Sequence, residues 1–164
     1  MAKQKENSVK TSENSLLDRA NFSLPIRVYY EDTDAGGVVY HSNYINFFER
    51  ARTEWIRDLG IEQDTLLSEH HLAFVVRKLD CEYIKPALFN DELFVTVDII
   101  DLRKATVVFK QQILRASKNE EKEKHGDHVI LAKGEIMVAA VDTIKFKPKR
   151  LPEFFTKQIK EDNK

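Results

Sequence analysis

The chain has 164 residues, enough for one domain with a substantial core. Its apolar content of 42%, charged content of 32% and net charge of −1 fit a soluble globular protein and provide no global attraction to nucleic acid or an anionic membrane. No apolar run approaches the roughly 18 residues of a membrane span.

The first 22 residues are polar and contain no hydrophobic stretch of signal-peptide length. They are expected to form a mobile N-terminal extension (1–22), with a short helical turn around Leu16 and Leu17. The protein is expected to be cytoplasmic. Cys81 is the only cysteine, so no intramolecular disulfide can form, which suits a reducing compartment. Its alternating surroundings, KLDCEYI, read as a packed strand thiol without an activating neighbour.

Leu24 to Tyr30 reads as a first strand, opened by a proline that suits a sheet edge. Glu31 to Asn43 reads as a loop. Tyr44 to Leu59 is the clearest helix, because Tyr44, Phe47, Phe48, Ala51, Trp55 and Leu59 recur at helical spacing. Gly60 follows as its terminator. Gln63 to His70 forms a second, shorter helix, and His70 and His71 read as its end rather than as catalytic groups.

The period then changes. Leu72 to Lys78 and Leu79 to Lys85 read as two strands, with Pro86 as a break. Glu92 to Leu102, Ala105 to Ala116 and Val129 to Val141 are further strands, the first two joined by a turn at Arg103 and Lys104. The charged stretch around Lys118 to His128 reads as a solvated loop; His125 and His128 lack the accompanying ligands that a metal site needs. Phe154, Phe155 and Ile159 suggest a short docking helix near the end. The expected division is an α+β domain over 23–156 and a polar C-terminal tail over 157–164. There is no βαβα rhythm, so a doubly wound fold is not expected.

One run concentrates chemistry: RVYYEDTDAGGVVYHSNYINFFERARTEW, from Arg27 to Trp55. Asp32 and Asp34 provide carboxylates, either of which fits a turn as readily as a catalytic base or nucleophile. Gly36 and Gly37 permit a tight turn or close approach to a ligand. His41 stands in the loop just before the helix, and a helix N-terminus offers N–H donors and partial positive charge to an anion. Tyr40 and Asn43 are candidates for shaping the pocket, and Glu49 for a catalytic carboxylate or a helix-surface partner of Arg52 or Thr53. Candidate phosphate-binding cations are Arg77, Lys78, Arg103 and Lys104, with Lys149 and Arg150. There is no P-loop, GxGxxG or GxSxG motif. No metal, flavin or nucleotide cofactor is expected.

The EDTDAGGVVYHSNY segment and its helix, together with AFVVRKLDCEYIKPA and VDTIKFKPKRLPE, closely resemble the hotdog-fold acyl-CoA thioesterases of the 4-hydroxybenzoyl-CoA thioesterase superfamily. The likeness is strongest to the YbgC-type, Tol–Pal-associated branch and covers about residues 25 to 155. The resemblance implies an antiparallel sheet wrapped around one long helix. It also implies a homodimer or homotetramer with active sites at subunit interfaces, and hydrolysis of acyl-CoA to a free acid and CoA. It places the catalytic carboxylate on Asp34, as nucleophile or general base, and the oxyanion-binding backbone N–H on His41, whose imidazole also matches. A fatty or an aromatic acyl group is compatible. The alternative is an oligomeric adaptor that binds acyl carrier protein or phospholipid-synthesis enzymes near the Tol–Pal system. A hotdog dehydratase fits the loop less well. The N-terminal extension and the 118–128 insertion depart from the family pattern.

Overall fold

The computed structural model describes residues 16–117 and 127–164. A short helix, α1 (Leu16–Arg19), leads into strand β1 (Phe22–Arg27), a 3₁₀ turn over Tyr30–Asp32, and the long helix α2 (His41–Asp58). Helix α3 (Gln63–His70) follows, then strands β2 (Leu72–Tyr83), β3 (Glu92–Leu102), β4 (Thr106–Ala116) and β5 (His128–Asp142), and finally helix α4 (Glu153–Asp162). The five strands form one antiparallel sheet in the order β1-β3-β4-β5-β2. Sheet and helix together make the expected α+β hotdog architecture.

The core lies between α2 and the concave face of the sheet. Helix α2 buries Tyr44, Phe47, Phe48, Ala51, Trp55 and Ile56 along one face. The sheet meets it with Leu93, Val95 and Val97 of β3, Phe109 and Ile113 of β4, and Leu131, Ile136 and Val138 of β5. These positions are an even number of residues apart along each strand or separated by a bulge, as a one-faced sheet requires. At Gly134 the strand packs directly beneath the helix: an added Cβ would stand 2.8 Å from Phe48 Cε2. Gly60 ends α2 with a φ of 80°, in the left-handed region that suits glycine.

Several expected boundaries move. Helix α2 begins at His41 rather than Tyr44, because a hydrogen-bonded loop delivers the chain in helical geometry three residues earlier. The first strand lies at Phe22–Arg27, not Leu24–Tyr30; the chain beyond Val28 turns to build the 3₁₀ turn. The two strands expected over 72–85 are one, β2, whose register against β5 shifts between Val76 and Lys78. A bulge there disturbs the alternation that a continuous strand would show. The polar tail expected over 157–164 is mostly helix α4, and Ile159 in it is 1% exposed. Of the expected N-terminal extension, residues 1–15 lie outside the described part, as do 118–126 of the charged insertion and with them His125.

Candidate active site

The loop between β1 and α2 is anchored at both ends. The Val28 N–H donates to Asp91 O at 2.9 Å, and the Val39 N–H donates to Ala87 O at 2.9 Å. Isolated bridges pair Thr33 with Val39 and Val38 with Leu88, so the loop folds back on itself.

The two aspartates in it do different things. Asp32 is buried; its Oδ2 accepts the Tyr29 N–H at 2.8 Å. Its backbone oxygen accepts the Tyr40 N–H and Asn43 Nδ2, both at 2.9 Å. Asp32 and Asn43 therefore tie the loop to the start of α2. Asp34 is exposed, and its Oδ1 accepts the Gly36 N–H at 2.8 Å. The Asp34 backbone closes the same turn, accepting from the Gly37 N–H at 3.0 Å and donating to Val38 O at 2.9 Å. Gly37 has a φ of 77°, which a side chain would disfavour. At Gly36 a Cβ would come within 3.1 Å of Asp34 Oδ1. The glycines thus fix one carboxylate oxygen and leave the other accessible to solvent.

His41 is the first residue of α2, and its N-cap Tyr40 makes no side-chain capping hydrogen bond. The first N–H groups of a helix have no intrahelical acceptor. Among the described residues none accepts from the His41 N–H. A bare donor at the positive end of an 18-residue helix follows the Asp34 turn directly. The His41 ring lies 4.4 Å from the Tyr40 ring and 6.5 Å, edge-on, from that of Tyr83.

Two tyrosines of the surroundings have no signal in the local sequence. Tyr44 accepts the Ala87 N–H at its hydroxyl, at 2.9 Å, and Tyr83 donates its hydroxyl to His41 O at 2.9 Å. Their rings meet edge-on at 5.2 Å. Burial raises the Tyr44 phenol above its ordinary value. Burial, followed by the neighbouring Cys81 thiol, pushes Tyr83 to about 12. Cys81 is itself half-buried and raised by burial, in keeping with a packed strand thiol.

The structure brings Asp34, Gly36, Gly37, Tyr40, His41 and Asn43 into one loop–helix junction. Glu49 lies two turns along α2, where its Oε1 accepts from Thr53 Oγ1 at 2.7 Å. It faces a small cavity, of about 110 Å³, together with Arg52, Phe74, Phe109 and Phe155. Arg77 and Lys78 are exposed at the β2 bulge. Arg103 and Lys104, at the β3–β4 turn, line an open cleft of about 860 Å³ with Arg150 and Lys160. This cluster stands at the far end of β3 from the Asp34 loop, roughly 33 Å away along an 11-residue strand. Lys149 is taken up with His70 O and with Asp142, 3.9 Å away. No helix among the described residues is long and apolar enough to cross a membrane.

Comparison with known proteins identifies the family. A family model described as "Thioesterase-like superfamily" matches residues 28–159. The chain is 46% identical over 138 residues to an acyl-CoA thioesterase YbgC of Haemophilus influenzae, covering 84% of this chain and 93% of that protein. It is 42% identical over 140 residues to an acyl-CoA thioester hydrolase YbgC of Escherichia coli O6:H1, covering 85% and 96%. A crystal structure of a probable thioesterase from Bartonella henselae superposes with a TM-score of 0.69 at 34% identity, covering 80% of this chain and 98% of that one. These relatives support thioester hydrolysis and lend nothing to the adaptor alternative. From the loop, the uncapped helix, the sheet that wraps it and these likenesses together, the chain belongs to the thioesterase-like superfamily of hotdog-fold proteins.

Proposed function

We propose that this protein is an acyl-CoA thioesterase in which Asp34 acts on the thioester carbon and the His41 N–H stabilises the oxyanion. The observation that carries the proposal is the Asp34 carboxylate, held at one oxygen by the Gly36 N–H at 2.8 Å, just ahead of the uncapped start of α2. Thioester hydrolysis needs an attacking oxygen and a donor for the charge that develops on the carbonyl oxygen. As a nucleophile, Asp34 adds to the carbonyl carbon, expels CoA thiolate and leaves a mixed anhydride, which water opens. As a general base, it takes a proton from water, whose oxygen adds to the same carbon; collapse again expels the thiolate. Both routes yield the free acid and CoA. Label found in Asp34 after a single turnover in ¹⁸O-water establishes the anhydride route with opening at the Asp34 carbonyl; label in the acid alone fits general-base hydrolysis or opening at the acyl carbonyl.

The assembly proposed with this activity is a homodimer or homotetramer. It is supported by β2, which is paired on one side only and carries half-exposed Val75 and Val76. A second copy of the chain would cover this edge. It would also place the cations of one copy, Arg103, Lys104 and Arg150, closer to the Asp34 of the other than they stand in one chain. There they would hold the phosphates of CoA. The protein is proposed to work in the cytoplasm on acyl-CoA, with thioesters on acyl carrier protein as a further substrate form.

The test is free-thiol release from short, long and aromatic acyl-CoAs by wild type and Asp34→Asn. Turnover lost in the variant supports the reading. A folded wild type without turnover on acyl-CoA or acyl carrier protein substrates overturns it.

A further inference from the structure

This inference rests on the thioesterase reading and concerns what aims its oxyanion donor. The start of α2 has no side-chain cap at Tyr40 and no acidic residue in its first turn. A helix end so constituted is open to an incoming oxyanion and is also poorly fixed. From the loop side it is held by Asp32 O, which receives Tyr40 N–H and Asn43 Nδ2. From the sheet side, the hydrogen bond that reaches the His41 backbone comes from the Tyr83 hydroxyl, at 2.9 Å. Tyr83 is the last residue of β2, 42 positions from His41. Its ring is braced edge-on by Tyr44, whose own hydroxyl is engaged with the Ala87 N–H.

We propose that Tyr83 is a positioning residue for thioester hydrolysis: by bonding to His41 O it fixes the first residue of α2 against β2, so that the His41 N–H meets the oxyanion. The His41 carbonyl belongs to the peptide after the residue and its N–H to the peptide before it; the two share the His41 Cα, so a bond that pins the carbonyl restrains the first residue of α2 from which the N–H projects. Donors must stand 2.7–3.1 Å from the oxyanion to contribute fully. A shift of about 1 Å in such a site can cost as much as 10²-fold in rate. Burial, followed by the Cys81 thiol, pushes the phenol up to about 12, so it stays protonated across neutral pH and keeps the hydrogen that it donates to His41 O. The residue is 47% exposed, and the ring contacts with Tyr44 and His41 do not need the hydroxyl.

The test is Tyr83→Phe, which deletes the hydroxyl and keeps the ring. Acyl-CoA turnover is measured beside affinity for two CoA analogues: a trifluoromethyl ketone, which forms a tetrahedral oxyanion adduct, and a thioether without a carbonyl. The expected result is a roughly tenfold fall in kcat, with KM and thioether affinity within about twofold, and a loss of ketone affinity parallel to that in kcat. A merely structural role weakens both analogues together. Such parallel weakening, or a kcat within about twofold of wild type, overturns the proposal. Wild-type protein without turnover overturns the thioesterase reading and this inference with it, so the two failures are separately visible.

Discussion

Gly36 lies so close to Asp34 that a methyl group on it would press on the carboxylate it now binds: the added Cβ stands 3.1 Å from Oδ1, while the Gly36 N–H donates to that oxygen at 2.8 Å. Gly36→Ala must therefore turn the carboxylate or open the turn. The expected outcome is a drop in kcat on the order of tenfold with little change in melting temperature, because the loop there is exposed. Steady-state kinetics and a thermal melt on the same sample check it. An unchanged kcat would mean that the orientation of Oδ1 is unimportant.

Substitutions at His41 and Asp34 should differ in depth. His41→Ala keeps the backbone donor and removes only the imidazole, so loss is expected to be shallower than that of Asp34→Asn. Removal of a whole oxyanion donor typically costs about 10²–10³-fold, and His41→Ala should lie below that range. Equal losses in the two variants would assign the imidazole an essential part of its own.

The basic cluster predicts a different signature. Charge removal at Arg103, Lys104 and Arg150 should raise KM for acyl-CoA, more at low salt than at high salt, and leave kcat within about twofold. Acyl-pantetheine thioesters, which lack the nucleotide phosphates, should be unaffected. A KM rise common to both substrate types would place the CoA phosphates elsewhere, with Arg77 and Lys78 the next cations to replace.

Packing at Gly134 sets a stability prediction. Gly134→Ala forces a methyl group against Phe48, at 2.8 Å from Cε2 and 3.0 Å from Cζ, where the ring is fully buried. Overpacking of this kind typically costs about 1–3 kcal/mol. Denaturant unfolding should show a lower midpoint with an unchanged slope.

Asp142 should give an acid-side dependence. Its Oδ1 accepts the N–H groups of Lys145 and Ile144, both at 2.9 Å, and these bonds hold its carboxyl below the ordinary carboxylate value. A depressed folded-state pKa contributes stability above the unfolded value, about 3.9, and that contribution is lost as pH falls through the folded value. Wild type should thus melt above Asp142→Asn at neutral pH, and the gap should close below about pH 4. A gap constant from pH 7 to pH 3 would show that the turn does not depend on the charge.

Helix α2 and the buried set of β3 were legible in the chain because one-faced burial imposes its period on the residues, 3.6 in the first and 2 in the second. The bulge in β2 was not, since the shift between Val76 and Lys78 is a property of pairing with β5. Asp34 was legible by resemblance, and local chemistry alone left it as readily a turn residue. The structural use of Asp32 and the hydroxyl of Tyr83 were illegible for one reason: their partners are defined by folding. Tyr83 meets a carbonyl 42 residues away, and no local pattern encodes that meeting. The start of α2 at His41 was missed because Ser42 and Asn43 are poor helix formers by propensity. The loop's hydrogen bonds override that preference.

Trp55, the only tryptophan, is 2% exposed, stacks edge-on against Phe109 at 5.5 Å and donates its Nε1 to Asp162 Oδ2 at 3.2 Å. Asp162 is the last residue of α4, so the indole joins the core between α2 and the sheet to the C-terminal helix. The protein consequently carries its own optical reporter. Detachment of α4 would change the emission of a single fluorophore before the sheet opens, and local fraying could be followed apart from global unfolding without any label.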